Sequence, residues 1–333
     1  MRTRTGLAAV AAVALTAVAA CSSSSSSSSA PAASATSSSS SSNPLSQGGA
    51  SGTVVVGSAN FPESELLAEI YAQALQAKGI KVTPKLNIGS REVYYPQIEK
   101  GTISIFPEYN GALLSVAVDP KSTAKTTAEV DAALTAKLPS SLEILNPSSA
   151  VDADSVTVTQ ATAAKYHLKS IEDLKPYAKD LIIGGPPEFK TRVQGLVGLK
   201  DNYGLTFKGF DPLDESGPIT LSALVNGKVQ AADVFTTTPQ IITDKLVALA
   251  DPKFNFAAQN VIPLVYKPAM NSTITDTLNA ISAKLTTAAL LQMDAAVILQ
   301  KADYSTTAAA CLSSALLASA RWPLWLSSRP SGG

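Results

Sequence analysis

Three short aromatic and polar stretches could contact a small ligand, because each comes directly after a predicted strand. They are residues 58–61 (Ser-Ala-Asn-Phe), 107–109 (Pro-Glu-Tyr) and 185–188 (Gly-Pro-Pro-Glu). In open α/β sheets a ligand lies beyond the carboxyl ends of the strands, so we expect these stretches to meet at one cleft. The alternative for Tyr109 is a strand-end residue whose ring packs on the core and whose hydroxyl stays in water.

Residues that carry acid–base, nucleophilic or metal chemistry in enzymes are scarce in this chain. There is 1 histidine, His167, expected to be exposed at a helix end, and there are 2 cysteines, Cys21 and Cys311, near opposite ends. Glu108 has no second carboxylate at a spacing typical of acid–base pairs. The nucleophile elbow, the phosphate-binding loop and the dinucleotide-binding motif are all missing. The sequence therefore predicts a protein that is not an enzyme and has no metal site and no cofactor.

The overall charge excludes a further class of partner. The 333 residues include 26 Lys and Arg against 26 Asp and Glu. A chain without a basic excess lacks the electrostatic footprint of a nucleic-acid-binding protein. We therefore expect no nucleic-acid partner. The length is enough for one large domain or two modest ones.

The N-terminal segment is expected to stay outside the folded part. Positive charge at residues 1–4 and a short apolar run up to Ala20 predict a signal peptide over residues 1–20. The small residues before Cys21 resemble a bacterial lipobox, in which the cysteine is lipidated and becomes the mature N-terminus. An ordinary signal peptide cleaved elsewhere is the alternative. Residues 21–52 would then be a lipidated cysteine and a serine-rich tether that holds the folded body at a membrane.

A repeated strand–helix pattern positions the candidate residues. Residues 53–57 predict a buried strand, and apolar residues spaced i, i+3, i+4 over 66–75 predict a helix. The pattern continues and returns in the second half of the chain. Strand–helix–strand units imply parallel sheets with right-handed crossovers. The sequence thus predicts an α/β protein with two lobes, residues 53–155 plus 259–310 as lobe I and residues 156–258 as lobe II.

Five motifs occur in a fixed order along the chain. They are GSANFPESELLAEIYAQAL (57–75), IGSREVYYPQIEKGTISIFPEYNGALL (88–114), PPEFKTRVQGLVGL (186–199), ADVFTTTPQI (232–241) and NVIPLV (260–265). Together they resemble the osmoprotectant-type substrate-binding proteins of ABC transporters, which bind glycine betaine, choline, carnitine and similar quaternary amines. The resemblance implies a type II periplasmic-binding-protein-like clamshell, each lobe a mainly parallel sheet flanked by helices.

The resemblance also implies roles for individual residues. Tyr109 matches one wall of an aromatic cage around the quaternary ammonium, a cation that aromatic faces attract although it has no hydrogen-bond donors. Arg192 matches the arginine that grips the ligand carboxylate with its planar fork. A salt bridge, for example with Glu188 one helical turn away, is the alternative for Arg192. Asn60 and Phe61 are further candidates, because backbone N–H groups are free at the start of a helix.

The chain departs from the family pattern at two cage positions. One cage tyrosine is Phe235 here, followed by Thr236 as a candidate contact, and another is Gln259, followed by Asn260. Phenylalanine keeps an aromatic face and glutamine does not, so the ammonium should be held less tightly by about 0.5–2 kcal/mol for each lost face. A core position for Phe235, and a role in a crossover strand for Gln259 and Asn260, are the alternatives.

These features predict a monomeric solute receptor. It would capture a quaternary-amine compatible solute in the interlobe cleft and deliver it to an ABC permease with its ATPase, while its N-terminal lipid anchors it to the outer face of the cell membrane. A receptor for another small polar solute, or a ligand-sensing lipoprotein without transport, is the alternative. Glu108 is expected to contact the other lobe or the transporter, and Glu63 to favour the start of its helix.

The C-terminal tail, residues 311–333, does not resemble the family's last helix. It contains both tryptophans, Trp322 and Trp325. An altered reading frame after about Ala310 or a divergent end would explain this, and a frame change would leave the tryptophans exposed. Arg321 and Pro323 interrupt the apolar run, so we expect no membrane span there.

Overall fold

A computed structural model of the chain describes residues 52–317, so the predicted signal peptide, Cys21, most of the predicted tether and both tryptophans lie outside the described residues. The described part has ten strands and eleven α-helices. The strands are β1 Val54–Gly57, β2 Val82–Lys85, β3 Ile105–Tyr109, β4 Leu142–Ile144, β5 Val156–Thr159, β6 Ile182–Gly185, β7 Gly209–Pro212, β8 Ala231–Asp233, β9 Leu246–Ala248 and β10 Val261–Tyr266. The helices are α1 Pro62–Ala77, α2 Arg91–Glu99, α3 Asn110–Leu113, α4 Thr127–Lys137, α5 Gln160–Tyr166, α6 Leu196–Tyr203, α7 Pro218–Val225, α8 Gln240–Thr243, α9 Ser272–Ser282, α10 Thr287–Asp294 and α11 Tyr304–Leu317.

The strands form two five-stranded sheets, and we call the parts of the chain built on them lobe I and lobe II. The order is β2-β1-β3-β10-β4 in lobe I and β7-β6-β8-β5-β9 in lobe II. In lobe I, β1 is parallel to β2 and β3, whereas β10 is antiparallel to β3 and β4. In lobe II, β6 is parallel to β7 and β8, whereas β5 is antiparallel to β8 and β9. The α/β class is confirmed. Both sheets are mixed, because β10 and β5 enter from the other lobe and run against their neighbours, while the other four strands of each sheet run in one direction. The residue boundaries given for the lobes stay a prediction.

The chain passes between the sheets twice, at residues 145–155 and 249–260. These two crossing segments are hydrogen-bonded to each other: Asp152 N donates to Gln259 O at 3.2 Å, and Val261 N donates to Ala150 O at 3.0 Å. Paired crossing segments place Asp152 and Gln259 at the junction of the lobes.

Helix α1 brings lobe I to this junction. It begins with Pro62, which is tolerated in a first turn because its missing N–H needs no partner there. Leu66, Leu67 and Ile70 are at most 1% exposed and belong to the lobe I core, as the sequence spacing predicts. Phe61, just before the helix, is therefore held at the edge of the lobe.

Strand β3 extends three residues beyond Phe106, where the apolar run over residues 103–106 predicts that it ends. It runs from Ile105 to Tyr109, and all of its residues are buried. Tyr109 is therefore the last residue of the strand and not part of a following turn. The pairing of Tyr109 with Val261 of β10 fixes its position.

The C-terminal helix α11 continues without a break through Ala310 to Leu317. Cys311 and Leu312 pack against the lobe I core. The changed reading frame after about Ala310 stays a prediction, and the expected exposure of the tryptophans falls outside the described residues. Among the described helices none alone has the length and apolarity to cross a membrane; Ser272–Ser282 with Thr287–Leu299 meets those criteria only as a pair bent by 88°.

Candidate functional site

A small cavity lies where the lobes meet beside the crossing segments. Its volume is about 30 Å³, roughly the share of one water molecule in the liquid. Its lining combines aromatic rings with charges of both signs and consists of Phe61, Arg91, Tyr109, Ala112, Asp152, Asp154, Arg192, Glu215, Phe235 and Gln259. We call it the solute cavity.

Five of the predicted ligand residues line the solute cavity, namely Phe61, Tyr109, Arg192, Phe235 and Gln259. Asn60, Thr236 and Asn260 do not. The side chain of Asn260 is hydrogen-bonded within the fold: it accepts a hydrogen bond from Thr127 and donates one to Ser148 O.

The other two outlying residues hold the lobes and crossing segments together. Thr236 is exposed, and its hydroxyl accepts a hydrogen bond from Ala153 N at 2.9 Å and donates to Asp152 at 3.3 Å. Asn60, with its amide nitrogen oriented to donate, reaches Gly89 O and Glu215 Oε2 at 3.1 Å each.

Three aromatic rings meet at the solute cavity, and they come from both lobes. Phe61 and Phe235 contact each other edge to face, with ring centroids 5.1 Å apart. Phe61 and Tyr109 have centroids 6.1 Å apart. A ligand placed between the rings of Phe61 and Phe235 would contact both lobes at once.

The ring of Tyr109 is fixed by a carboxylate below it. Its hydroxyl donates to Glu63, and Thr237 of lobe II donates to the other oxygen of Glu63 at 2.6 Å. Burial raises the pKa of Glu63 well above its usual range, and the neighbouring Asp294 raises it further. The hydroxyl of Tyr109 is therefore buried and not in contact with water. Glu63 lies in the first turn of helix α1, is 4% exposed, and joins the two lobes through these hydrogen bonds.

Arg192 spans the lobes. Its Nε and Nη2 donate to the two carboxylate oxygens of Glu92, on α2, at 3.1 and 3.0 Å. Burial alone would raise the pKa of Glu92, but the hydrogen bond and charge of Arg192 outweigh it and lower the pKa to about 2. The remaining nitrogen, Nη1, lies 4.0 Å from Glu215. The salt-bridge partner is thus Glu92 and not Glu188.

Glu108 corrects a prediction. Its side chain is fully buried inside lobe I and accepts hydrogen bonds from Arg91 Nε and Nη2 at 2.9 Å each, from Tyr94 at 2.6 Å and from Tyr109 N at 2.9 Å. It is therefore neither at a lobe tip nor available to a transporter. Its role is to hold Arg91 at the wall of the solute cavity.

The solute cavity has three acidic side chains, at Asp152, Asp154 and Glu215. Burial raises the pKa of Asp152 well above its usual range, and it raises the pKa of Asp154 as well. Burial also raises the pKa of Glu215 to about 7, although the charges of Arg192 and Arg91 oppose this. Groups with these shifts gain from a nearby positive charge.

Gln259 brings an unused donor to the solute cavity. Its Oε1 accepts a hydrogen bond from Ala112 N at 3.0 Å, which fixes the orientation of the amide. Its Nε2 is buried and has no partner among the described residues. A buried donor without an acceptor is costly, by about 1–3 kcal/mol. An acceptor atom on a ligand would satisfy it.

Sequence reasoning missed four charged residues of the site, Arg91, Asp152, Asp154 and Glu215. The signal for the two aspartates was their position in a segment that crosses between predicted lobes. Arg91 is the first residue of helix α2, and nothing in the sequence pattern sets it apart from a surface residue. Glu215 lies in a loop that carries no periodicity.

Comparison with known proteins finds a match over nearly all of the described part. The family model for the substrate-binding domain of ABC-type glycine betaine transport systems, OpuAC, matches residues 52–314. The glycine betaine-binding protein YehZ of Escherichia coli is 29% identical over 232 residues, which are 66% of this chain and 73% of that protein. A glycine-betaine-binding protein of Pseudomonas aeruginosa is 27% identical over 233 residues, with the same coverage of 66% and 73%.

Solved structures show the same fold. A glycine betaine/carnitine/choline ABC transporter structure aligns with a TM-score of 0.62 at 21% identity and covers 78% of this chain and 97% of that one. An ABC-transporter choline-binding protein in complex with choline aligns with a TM-score of 0.59 at 14% identity, over 78% of this chain and 87% of that one. The type II periplasmic-binding-protein-like fold is thus confirmed.

Proposed function

Because the chain belongs to the family of substrate-binding domains of ABC-type glycine betaine transport systems, we propose that it captures a quaternary-amine solute for an ABC importer, with glycine betaine as the first candidate. A domain of this family binds a substrate for transport and is not an enzyme. The relatives in Escherichia coli and Pseudomonas aeruginosa are named for glycine betaine binding, which supports the choice of solute.

The observation that carries the proposal is the aromatic trio of Phe61, Tyr109 and Phe235 at the lobe junction. A quaternary ammonium has no N–H, so aromatic faces and nearby carboxylates are the groups that attract it. Asp152 and Asp154 supply such carboxylates in the same cavity. The trio has fewer rings than a fully aromatic cage because Gln259 occupies one predicted position.

The polar end of glycine betaine has candidate partners as well. The unused donor of Gln259 lines the solute cavity. The guanidinium group of Arg192 becomes available once Glu92 moves away from it. A guanidinium binds a carboxylate through two parallel hydrogen bonds. A zwitterion would thus satisfy the aromatic faces and the donors together.

Capture and release depend on the contacts between lobes. Hydrogen bonds from Thr237 to Glu63, from Ser115 to Gln194 and from Arg192 to Glu92 join the two sides of the cleft. A ligand that fits between the lobes favours the closed arrangement through its differential affinity. The permease would then distinguish loaded from unloaded protein by this arrangement.

A thermal-shift screen tests the choice of solute. Glycine betaine, choline, carnitine and proline betaine are compared with glycine and uncharged sugars, since a ligand that binds the folded state raises its melting temperature. We expect shifts with the quaternary amines. Shifts confined to sugars would overturn the proposal.

Calorimetry on Tyr109 variants tests the cage. Tyr109→Ala removes the aromatic face and should weaken binding of glycine betaine at least about tenfold, within the range of a desolvated cation–π contact. Tyr109→Phe, the matched control, keeps the face and loses only the hydroxyl, so its affinity should stay within about threefold. Equal losses in both variants would remove the ring from the ligand contact.

Membrane attachment through Cys21 is part of the proposal. The apolar run and the small residues before Cys21 support it. Cells that express the chain should incorporate labelled palmitate into it, and the Cys21→Ala variant should not. Uptake of labelled glycine betaine by the same cells separates transport from a sensing role, because a sensor without transport would leave uptake unchanged when the protein is deleted.

A further inference from the structure

An apolar groove lies between helices α1, α9, α10 and α11 of lobe I. Its volume is about 470 Å³, within the range of about 300–1,000 Å³ that is typical of sites enclosing an organic group. The groove residues that stay accessible are mostly apolar: Ala77 and Ala280 are exposed, and Ile281, Ala289, Cys311 and Leu312 are half-buried. A continuous apolar surface of this kind marks a place where another group packs.

Helix α11 fixes where the following part of the chain starts. Gln73 of α1 donates hydrogen bonds to Ser305 O at 3.0 Å and to Ser305 Oγ at 2.9 Å, which ties the beginning of α11 to α1. Further along α11, Ser314 lines the groove, and it lies three residues before the end of the described part at Leu317. Residues 318–333 therefore start beside the groove.

The sequence of this following part suits an apolar groove. Residues 322–326 are Trp-Pro-Leu-Trp-Leu, a run without a polar residue. The run is far too short to cross a membrane. Each tryptophan side chain can bury about 150–250 Å² when it packs against a protein surface. The run therefore carries apolar area that needs a surface to cover it.

The connection is long enough for residues 322–326 to turn back to the groove. From Leu312 to Leu317 the helix rises by about 7.5 Å, at about 1.5 Å per residue. Residues 318–322 span up to about 17 Å when extended. Trp322 can therefore reach the level of Leu312, beside the half-buried wall of the groove.

The polar groups at the rim of the groove favour an aromatic occupant over a purely aliphatic one. Lys78 and Gln292 line the groove and are exposed. The face of an indole ring attracts an ammonium group such as that of Lys78. The indole N–H can donate a hydrogen bond to an amide oxygen such as that of Gln292. An acyl chain offers neither interaction.

We propose that residues 322–326 pack into the groove between α1, α9, α10 and α11 of the same chain, with Trp322 and Trp325 as anchors. The C-terminal segment then covers the accessible apolar surface of lobe I. Its tryptophans are buried, in contrast to the exposure that a frame change would produce.

Tryptophan fluorescence tests the proposal on the full-length protein, because both tryptophans of the chain, Trp322 and Trp325, belong to this segment. We expect their emission to lie at a shorter wavelength in buffer than in concentrated urea, and we expect acrylamide to quench it less in buffer. Emission at the same wavelength in both solvents, with equal quenching, would overturn the proposal.

A charge placed in the groove tests where the tryptophans pack. Ala280 is exposed and lines the groove, so Ala280→Glu adds a carboxylate that is costly to cover with apolar rings and does not disturb the buried core. The emission should move toward its position in urea. Ala309→Glu, the same change at an exposed position of α11 outside the groove, should leave the emission of the wild type.

Equal emission of the wild type and Ala280→Glu, with both folded by circular dichroism, would show that the tryptophans pack elsewhere and would overturn the proposal. Ala77→Glu, at an exposed groove position of α1, replaces Ala280→Glu if that variant does not fold.

Dilution distinguishes the chain's own segment from that of a second copy. Packing within one chain does not depend on concentration, so the short-wavelength emission should persist on dilution from the micromolar to the nanomolar range. Emission that moves toward its position in urea on dilution would assign the groove to a second copy of the chain and contradict the proposal.

Discussion

Two arginine–glutamate pairs flank the solute cavity and differ in what they join. Arg91 and Glu108 both belong to lobe I and form two hydrogen bonds of 2.9 Å. Arg192 of lobe II and Glu92 of lobe I form two of 3.1 and 3.0 Å. The Glu108 side chain is 0% exposed, whereas that of Glu92 is 44% exposed.

The same pairing of groups therefore serves two purposes. A buried pair cannot lose one partner without leaving an uncompensated charge, so Arg91 and Glu108 act as fixed scaffold. An exposed carboxylate contributes little to stability and is readily replaced by solvent or by another carboxylate. We therefore propose that Arg192 exchanges Glu92 for the carboxylate of a ligand, whereas Arg91 keeps Glu108.

Removing the buried partner should have the largest effect. Glu108→Gln leaves the Arg91 charge buried without its carboxylate, and the free energy of unfolding should fall by about 3–5 kcal/mol in urea titration. Glu99→Gln, at an exposed position of helix α2, which carries Arg91, is the control and should change the free energy of unfolding by less than about 0.5 kcal/mol. A loss below about 1 kcal/mol in Glu108→Gln would show that the pair is not scaffold.

Removing the exchangeable arginine should affect binding instead. Arg192→Ala should weaken glycine betaine binding at least about tenfold, as expected for a charge-assisted bidentate contact. Choline has no carboxylate, so its affinity should change by less than about threefold. The comparison fails if calorimetry shows equal losses for both ligands.

Removing the exposed partner, Glu92, should strengthen ligand binding rather than weaken it. Glu92→Gln frees the fork of Arg192, so glycine betaine should bind about twofold to fivefold more tightly, while stability changes by less than about 1 kcal/mol. Calorimetry and urea titration on the same preparation measure both. Weaker binding in Glu92→Gln would show that Glu92 supports the ligand rather than competes with it.

The smallest effect is expected from pH. The pKa of Glu215 is raised by burial to about 7, against about 4.3 in an unfolded chain. The folded protein therefore holds a proton that the unfolded chain releases, so the contribution of Glu215 to stability should fall as pH rises from about 4 to about 7 and level off above that. The pKa of Asp294, about 8, acts in the same direction.

Thermal unfolding at pH 5 and pH 8 measures this dependence. Glu215→Gln should show a smaller drop in melting temperature between the two pH values than the wild type. The Arg192–Glu92 pair stays formed over this range, because the pKa of Glu92, about 2, makes its contribution fade only in acid below about pH 4. Equal drops in both proteins would exclude Glu215 as the source.

Much of the architecture could be predicted from the sequence because it depends on local patterns. The i, i+3, i+4 spacing over residues 66–75 predicts α1, and the predicted aromatic residues Phe61, Tyr109 and Phe235 do line the cavity. The order of motifs predicts the family.

What the sequence could not predict depends on pairing across long separations. Whether Arg192 meets Glu188 or Glu92 is decided by how lobe II faces α2, and no local pattern records that. The sequence around Glu108 does not distinguish a carboxylate buried against Arg91 from one exposed on a lobe tip. The mixed sheets likewise follow from the return of β10, more than a hundred residues after β4.

A crystal structure of the protein with glycine betaine tests the central claim most directly. We expect the trimethylammonium group against the rings of Phe61, Tyr109 and Phe235, with Phe61 and Phe235 farther apart than 5.1 Å. The carboxylate should lie within hydrogen-bonding distance of Gln259 or of Arg192 released from Glu92. A ligand that contacts none of the three rings would contradict the account.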